Sequence, residues 1–229
     1  MFRVIIQSAA LCFIIQILSY EFLWKYSVNY RYFSGIEKFR CDNRIVALIH
    51  SLIIPILVVN AVYIDGVNAK DSMDEYSYIT KLCVSGSAGY FLWDMIVCFF
   101  DNNMPYTIHA VCCFLIYLIA AVNPEVTMYA CMFLLYELST PFGHIRWFLL
   151  KFFYPYNIEN IELMFGCTFI FVRIIVGLPL QLILMYNLYY KFIENYNIFF
   201  LLLLLGNISL ASLNTFWCKM IIKKFYLIE

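Results

Sequence analysis

The sequence predicts an all-α, polytopic integral membrane protein with about seven transmembrane helices, and three observations carry that prediction. Charged residues make up 13% of the 229 residues, about half the roughly 25% usual for a soluble domain. Too little charge is present to cover a water-soluble globule of this size. Apolar residues make up 64% and collect in long runs without strict alternation, which favours helices over outer-membrane strands.

A spanning helix needs roughly 20 mainly apolar residues, because each rises about 1.5 Å across a hydrocarbon core of about 30 Å. Residues 4–24 form the first such stretch. Arg3 precedes it, as in a signal peptide, but no small-residue cleavage site follows and Gln7 and Gln16 interrupt it, so it reads as an uncleaved helix. Further stretches follow at 45–64, 80–100, 104–123, 126–150, 163–190 and 195–217. Only the connectors at 25–44 and 65–81 have room for structure outside the bilayer.

Basic residues divide unevenly between the two sides of this seven-span arrangement. Lys25, Arg31, Lys38, Arg40, Arg44, Arg146, Lys151, Lys219, Lys223 and Lys224 fall on one side; Arg3, Lys70, Lys81 and Lys191 fall on the other. The positive-inside rule then puts the first connector and the C-terminus in the cytosol. The 15 basic and 15 acidic residues balance and form no basic stripe, which excludes an electrostatic nucleic-acid partner. The nine cysteines are spread along the chain without a C-x-x-C pair. Most fall within spans, as small buried apolar residues do, and no metal or other cofactor is expected. Asn207-Ile208-Ser209 fits a glycosylation site but lies inside the last span, beyond the reach of a glycan.

Against this apolar background, Asp94, Glu137 and Arg173 stand well inside spans. Each would cost roughly 2.5–3.5 kcal/mol if charged at a helix centre facing lipid, so they must face protein, water or one another. His50 and His109 also need partners. Asp94, Tyr90, Ser87 and Cys83 recur at spacings that align them on one helix face. His109 stacks over Cys113, and Asn207 and Asn214 share a face with Ala211 between them. Pro55, Pro141 and Pro179 would free the carbonyls of Ser51, Glu137 and Ile175, each beside an ionisable side chain. Polar stripes on several helices and freed backbone together predict a polar chamber inside the bundle.

Four segments resemble the TLC-domain family, which includes ceramide synthases, the TRAM translocon-associated proteins and small lipid-handling membrane proteins. They are Asn43-Arg44-Ile45-Val46 leading to His50; Gly89-Tyr90-Phe91-Leu92-Trp93-Asp94; His109 followed by Glu137-Leu138-Ser139-Thr140-Pro141-Phe142 with Arg146-Trp147-Phe148; and Phe171-Val172-Arg173-Ile174. The resemblance covers roughly Cys41 to Lys224 and is nearest to the small TLC domain-containing transmembrane proteins. It implies six helices in a barrel around a central cavity, in the endoplasmic reticulum or another cellular membrane, with a lipid inside. The chain then divides into a first helix and cytosolic connector (1–40), a TLC domain (41–224) and a short tail (225–229). Two features of the ceramide synthases are missing: the paired histidines read His109-Ala110, and the stretch matching their His-Asp-x-x-Asp element reads Leu135-Tyr136-Glu137-Leu138-Ser139-Thr140.

The reading that follows is a protein of lipid homeostasis or trafficking, not an enzyme, whose cavity binds an acyl-chain or sphingolipid-like membrane lipid. His50, Tyr90, Asp94, His109, Glu137, Arg146, Arg173, Asn207 and Asn214 are its candidate headgroup and cavity residues. Arg173 and Arg146 suit phosphate or carboxylate, and Asp94 or Glu137 suits an amine or hydroxyl. The alternative is a lipid-modifying acyltransferase with His109 as base or acyl carrier, its tautomer set by Asp94 or Glu137. A purely structural or translocon-associated role, with the polar set as helix glue, stands third.

Overall fold

The computed structural model describes residues 1–68, 76–153 and 157–226. Lys70 and residues 227–229 of the expected tail lie outside them. All regular structure among the described residues is helical: α1 (Phe2–Tyr26), α2 (Val28–Tyr32), α3 (Gly35–Asn68), α4 (Tyr78–Asp101), α5 (Met104–Val122), α6 (Pro124–Phe133), α7 (Thr140–Phe152), α8 (Glu159–Phe169), α9 (Gly177–Asn195) and α10 (Ile198–Tyr226). A 3₁₀ run, Leu134–Ser139, joins α6 to α7, and a π-helical run, Ile170–Val176, joins α8 to α9.

Among the described residues six helices are long and apolar enough to cross a membrane: Phe2–Tyr26, Gly35–Asp65, Tyr78–Asp101, Met104–Val122, Glu159–Asn195 and Ile198–Lys224. The stretch expected at 126–150 is not one uninterrupted helix but the broken rod α6, 3₁₀ run, α7. It still crosses the bundle. Glu125 at its start pairs with Lys191, and Lys151 at its end pairs with Glu37 at the opposite end of the molecule. The break has a covalent cause, because Pro141 has no N–H to continue the α-helical ladder.

Ion pairs show which helix ends meet. Arg40 with Asp101, Lys151 with Glu37, and Glu162 with both Arg146 and Lys224 all gather at one end. That is the end where the sequence places most of the basic residues. The long first connector is filled by α2 and the first turns of α3 rather than by loop. Asp42 is buried there and accepts hydrogen bonds from Ser19 Oγ (2.7 Å) and Tyr30 Oη (2.6 Å).

Polar side chains and missing side chains fix α1 to the bundle. Gln16 donates to Asn43 Oδ1 (2.7 Å) and accepts from Trp93 Nε1 (3.0 Å), linking three helices through one amide. Lower down, Ser8 Oγ donates to the Gly86 carbonyl (2.7 Å). A Cβ at Gly89 would run into the Ile5 carbonyl and the Ser8 side chain, so α1 and α4 touch almost backbone to backbone. Small residues permit such crossings, where dispersion rather than hydrophobicity holds helices together.

Gly89→Val should therefore force α1 away from α4. A loss of about 1–3 kcal/mol is expected for such overpacking, read as a lower midpoint of thermal unfolding in detergent; an unchanged midpoint would show that the crossing does not need glycine.

Candidate functional site

Irregular backbone places the site. In the 3₁₀ run each N–H bonds three residues back, so Thr140 donates to the Glu137 carbonyl. This corrects the expectation that Pro141 leaves that oxygen free. The carbonyl turned to a new partner is one residue earlier: Tyr136 O accepts from Ser139 Oγ (3.1 Å) and from Arg173 Nη2 (3.3 Å). The π run, Ile170–Val176, ends three residues before Pro179, where the chain has returned to α-helix.

Arg173 lies in that π run, buried, and is held by neutral acceptors. Nη1 donates to Asn214 Oδ1 (3.0 Å), Nε to Ser139 Oγ (3.4 Å), and the guanidinium lies 5.0 Å from the Phe169 ring centre and 5.5 Å from that of Tyr136. Among the described residues it forms no ion pair. The neighbouring Glu137 is also buried.

A cavity of about 40 Å³ adjoins Arg173, with His109, Glu137, Gln181, Asn207 and Asn214 on its polar side and Phe91, Tyr117 and Phe133 on its aromatic side. A water needs roughly 10–15 Å³ of such space, so the chamber takes about three waters or a group of similar size. An acyl chain does not fit it. Two buried polar atoms of lining residues have no partner, Tyr136 Oη and Gln181 Oε1. Gln181 Nε2 is fixed by the Asn207 carbonyl (3.0 Å), which sets the side of the amide left unsatisfied. Tyr136 packs on Gly177, where a Cβ would collide with its hydroxyl and ring.

The chamber thus gathers His109, Glu137, Arg173, Asn207 and Asn214 of the expected set. It does not include His50, Tyr90, Asp94 or Arg146. The His50 ring stacks on Tyr90 (3.8 Å between centres, 5° between planes), with Nε2 3.3 Å from Ser87 Oγ and Nδ1 buried without a partner. Asp94 accepts from Cys98 Sγ (3.7 Å). Phe91 separates this group from the chamber, packing on Tyr90 (5.1 Å) on one side and on Tyr117 (4.9 Å) on the other. Arg146 is engaged by Glu162 (2.6 Å) at the basic end. His109 touches Cys113 Sγ (3.7 Å from Nε2) and the Trp217 ring, and among the described residues no carboxylate hydrogen-bonds to it.

Sequence reasoning missed three residues. Gln181 carries a signal, since Arg173, Gly177 and Gln181 follow one another at four-residue spacing on one helix face. Tyr136 carries none beyond its position beside Glu137. His144, which accepts from Arg44 Nη1 (3.3 Å) while Arg44 lies over Trp147 (5.1 Å), is three residues from that tryptophan. Among the described residues no three His, Cys, Asp or Glu side chains stand close enough to hold a metal ion.

Comparison with known proteins places this geometry in a family. The chain is 27% identical over 202 residues to TLC domain-containing protein 4 C of Dictyostelium discoideum, covering 83% of this chain and 72% of that one. It is 26% identical over 228 residues to an uncharacterized TLC domain-containing protein of Schizosaccharomyces pombe, covering 96% and 77%. No solved structure matches. The family model described as TLC domain matches residues 40–223, and the chain is a multipass membrane protein belonging to the TLC-domain family, of the TLC domain-containing type rather than the ceramide synthase type.

Proposed function

We propose that this protein binds the polar part of a membrane lipid in the chamber beside Arg173 and so takes part in lipid homeostasis or trafficking. The observation that carries the reading is the pair of unsatisfied polar atoms on lining residues, Tyr136 Oη and Gln181 Oε1, next to a fixed guanidinium. A buried polar atom without a partner costs about 1–3 kcal/mol, and a guest with a hydroxyl or amide N–H would recover that. The chamber's size sets the division of labour: the polar group enters, and the acyl chains lie between helices toward the bilayer. Both irregular runs belong to the chamber's walls, where non-α turns commonly mark functional sites.

Orientation and location form part of the same reading. The end holding Arg40, Arg146, Lys151 and Lys224 faces the cytosol by the positive-inside rule, with the endoplasmic reticulum membrane as the compartment the family resemblance implies. Acyl transfer through His109 has less support. Its ring neighbours are a thiol and an indole, so the carboxylate that would set its tautomer is not in contact.

Two variants separate binding from architecture. Gln181→Leu should keep thermal stability within about 1 kcal/mol of wild type, since it removes an unsatisfied acceptor along with one hydrogen bond. It should lower by about ten-fold the occupancy of the lipid that co-purifies in mild detergent, as counted by mass spectrometry. Equal occupancy in both proteins, or no lipid enriched over the membrane extract, overturns the binding reading. Arg173→Met strands Asn214 Oδ1 and leaves the Tyr136 carbonyl with Ser139 Oγ as its remaining donor, and about 2–4 kcal/mol of stability should be lost in thermal unfolding; a smaller loss would mean that Asn214 finds another donor.

A further inference from the structure

A second concavity lies far from the chamber, at the basic end of the molecule and almost wholly before the family-matched segment. It is a groove of about 1050 Å³ between the last turns of α1, α2 and the start of α3. Its size matches the upper end of small-molecule sites. Its floor is apolar, with Ile15, Leu18, Phe22 and Ile45. At its mouth stand two exposed cations, Lys25 and Arg31.

The local charge pattern is unusual. Five basic residues occur between positions 25 and 44; Asp101 pairs with one of them, Arg40, while Glu37 is committed to Lys151 and Asp42 to the Ser19 and Tyr30 hydroxyls. Among the described residues Lys25 and Arg31 form no ion pair. Lys38 lies over the Trp24 ring at 4.8 Å, adding a third positive charge beside the groove. Glu21, one turn deeper, is the only acidic side chain on the lining and leaves a positive excess.

We infer that this groove is a binding site for an anionic phospholipid of the surrounding bilayer. One acyl chain lies along Leu18, Phe22 and Ile45 while the phosphate sits between Lys25 and Arg31. An apolar trough with cations at its end matches the two halves of such a molecule. Basic pockets between transmembrane helices are known lipid headgroup sites, and each Lys or Arg at the surface contributes a comparable increment of attraction. A zwitterionic lipid would gain less there, because its own ammonium opposes the same cations.

The test uses the full chain in nanodiscs of phosphatidylcholine containing a minor fraction of phosphatidylserine, with retained lipids counted by native mass spectrometry. Wild type should retain phosphatidylserine over phosphatidylcholine. Lys25→Gln with Arg31→Gln, both at exposed positions and so compatible with folding, should cut that preference about twenty-fold. Leu18→Arg, which places a charge on the floor without touching the cations, should also abolish retention. Circular dichroism checks that each variant is folded. Equal retention of the two lipids by wild type, an unchanged preference in the folded double variant, or complete displacement by soluble glycerophosphoserine, which has no acyl chain, would each overturn the assignment.

Discussion

Burying one guanidinium among neutral acceptors governs much of this interior. Arg173 meets a carbonyl, a hydroxyl and an amide oxygen rather than a carboxylate. Hydrogen bonds to a charged group contribute roughly 1.5–3 kcal/mol each, so three of them outweigh the roughly 2.5–3.5 kcal/mol that the charge costs at a helix centre. Two of the three depend on the 3₁₀ run, which supplies both the Tyr136 carbonyl and the Ser139 hydroxyl. Straightening that run into α-helix would withdraw them. The proline at 141 therefore does more than interrupt a helix: it follows directly on the irregular turn that supplies both of those acceptors.

The membrane-crossing architecture was legible from run length and composition, because a 30 Å apolar slab imposes a simple rule on sequence. The polar chamber was legible in part. Glu137, Arg173, His109, Asn207 and Asn214 stand out as polar residues inside apolar runs, and all five line it. Which residues share a wall across a break was not legible. A 3₁₀ helix turns about 20° more per residue than an α-helix, so six residues shift the phase by about 120°. Periodicity read up to Phe133 cannot be carried past Ser139, and Arg146, on the far side of that shift, ends at Glu162 rather than in the chamber. His50, Tyr90 and Asp94 join the others in the sequence by depth and by the polar stripes of their own helices. Depth does not show that an aromatic ring, Phe91, stands between.

That partition gives the interior two characters. On the Arg173 side the groups are hydrogen-bonded around a small space, with two atoms unsatisfied. On the His50 side the ring stacks closely on Tyr90, and the polar contacts are local. The N-terminal helix reinforces the second side through Gln16 and Trp93, although that whole helix lies outside the family-matched segment. Its contribution is to pack the α4 wall from behind.

The π run has a consequence for how such a chain tolerates insertions and deletions. An i→i+5 turn houses a surplus residue without lengthening the rod in proportion. Losing one residue between Ile170 and Val176 would restore ordinary pitch yet turn the downstream helix by only about 30°, because the wide turn had already absorbed the extra residue. The change would fall on the turn itself, where Arg173 sits, while Gln181 and the apolar side chains beyond it kept nearly the same neighbours. A lineage could reset this corner of the interior through one codon and keep its membrane topology, and hydropathy would carry no trace of it.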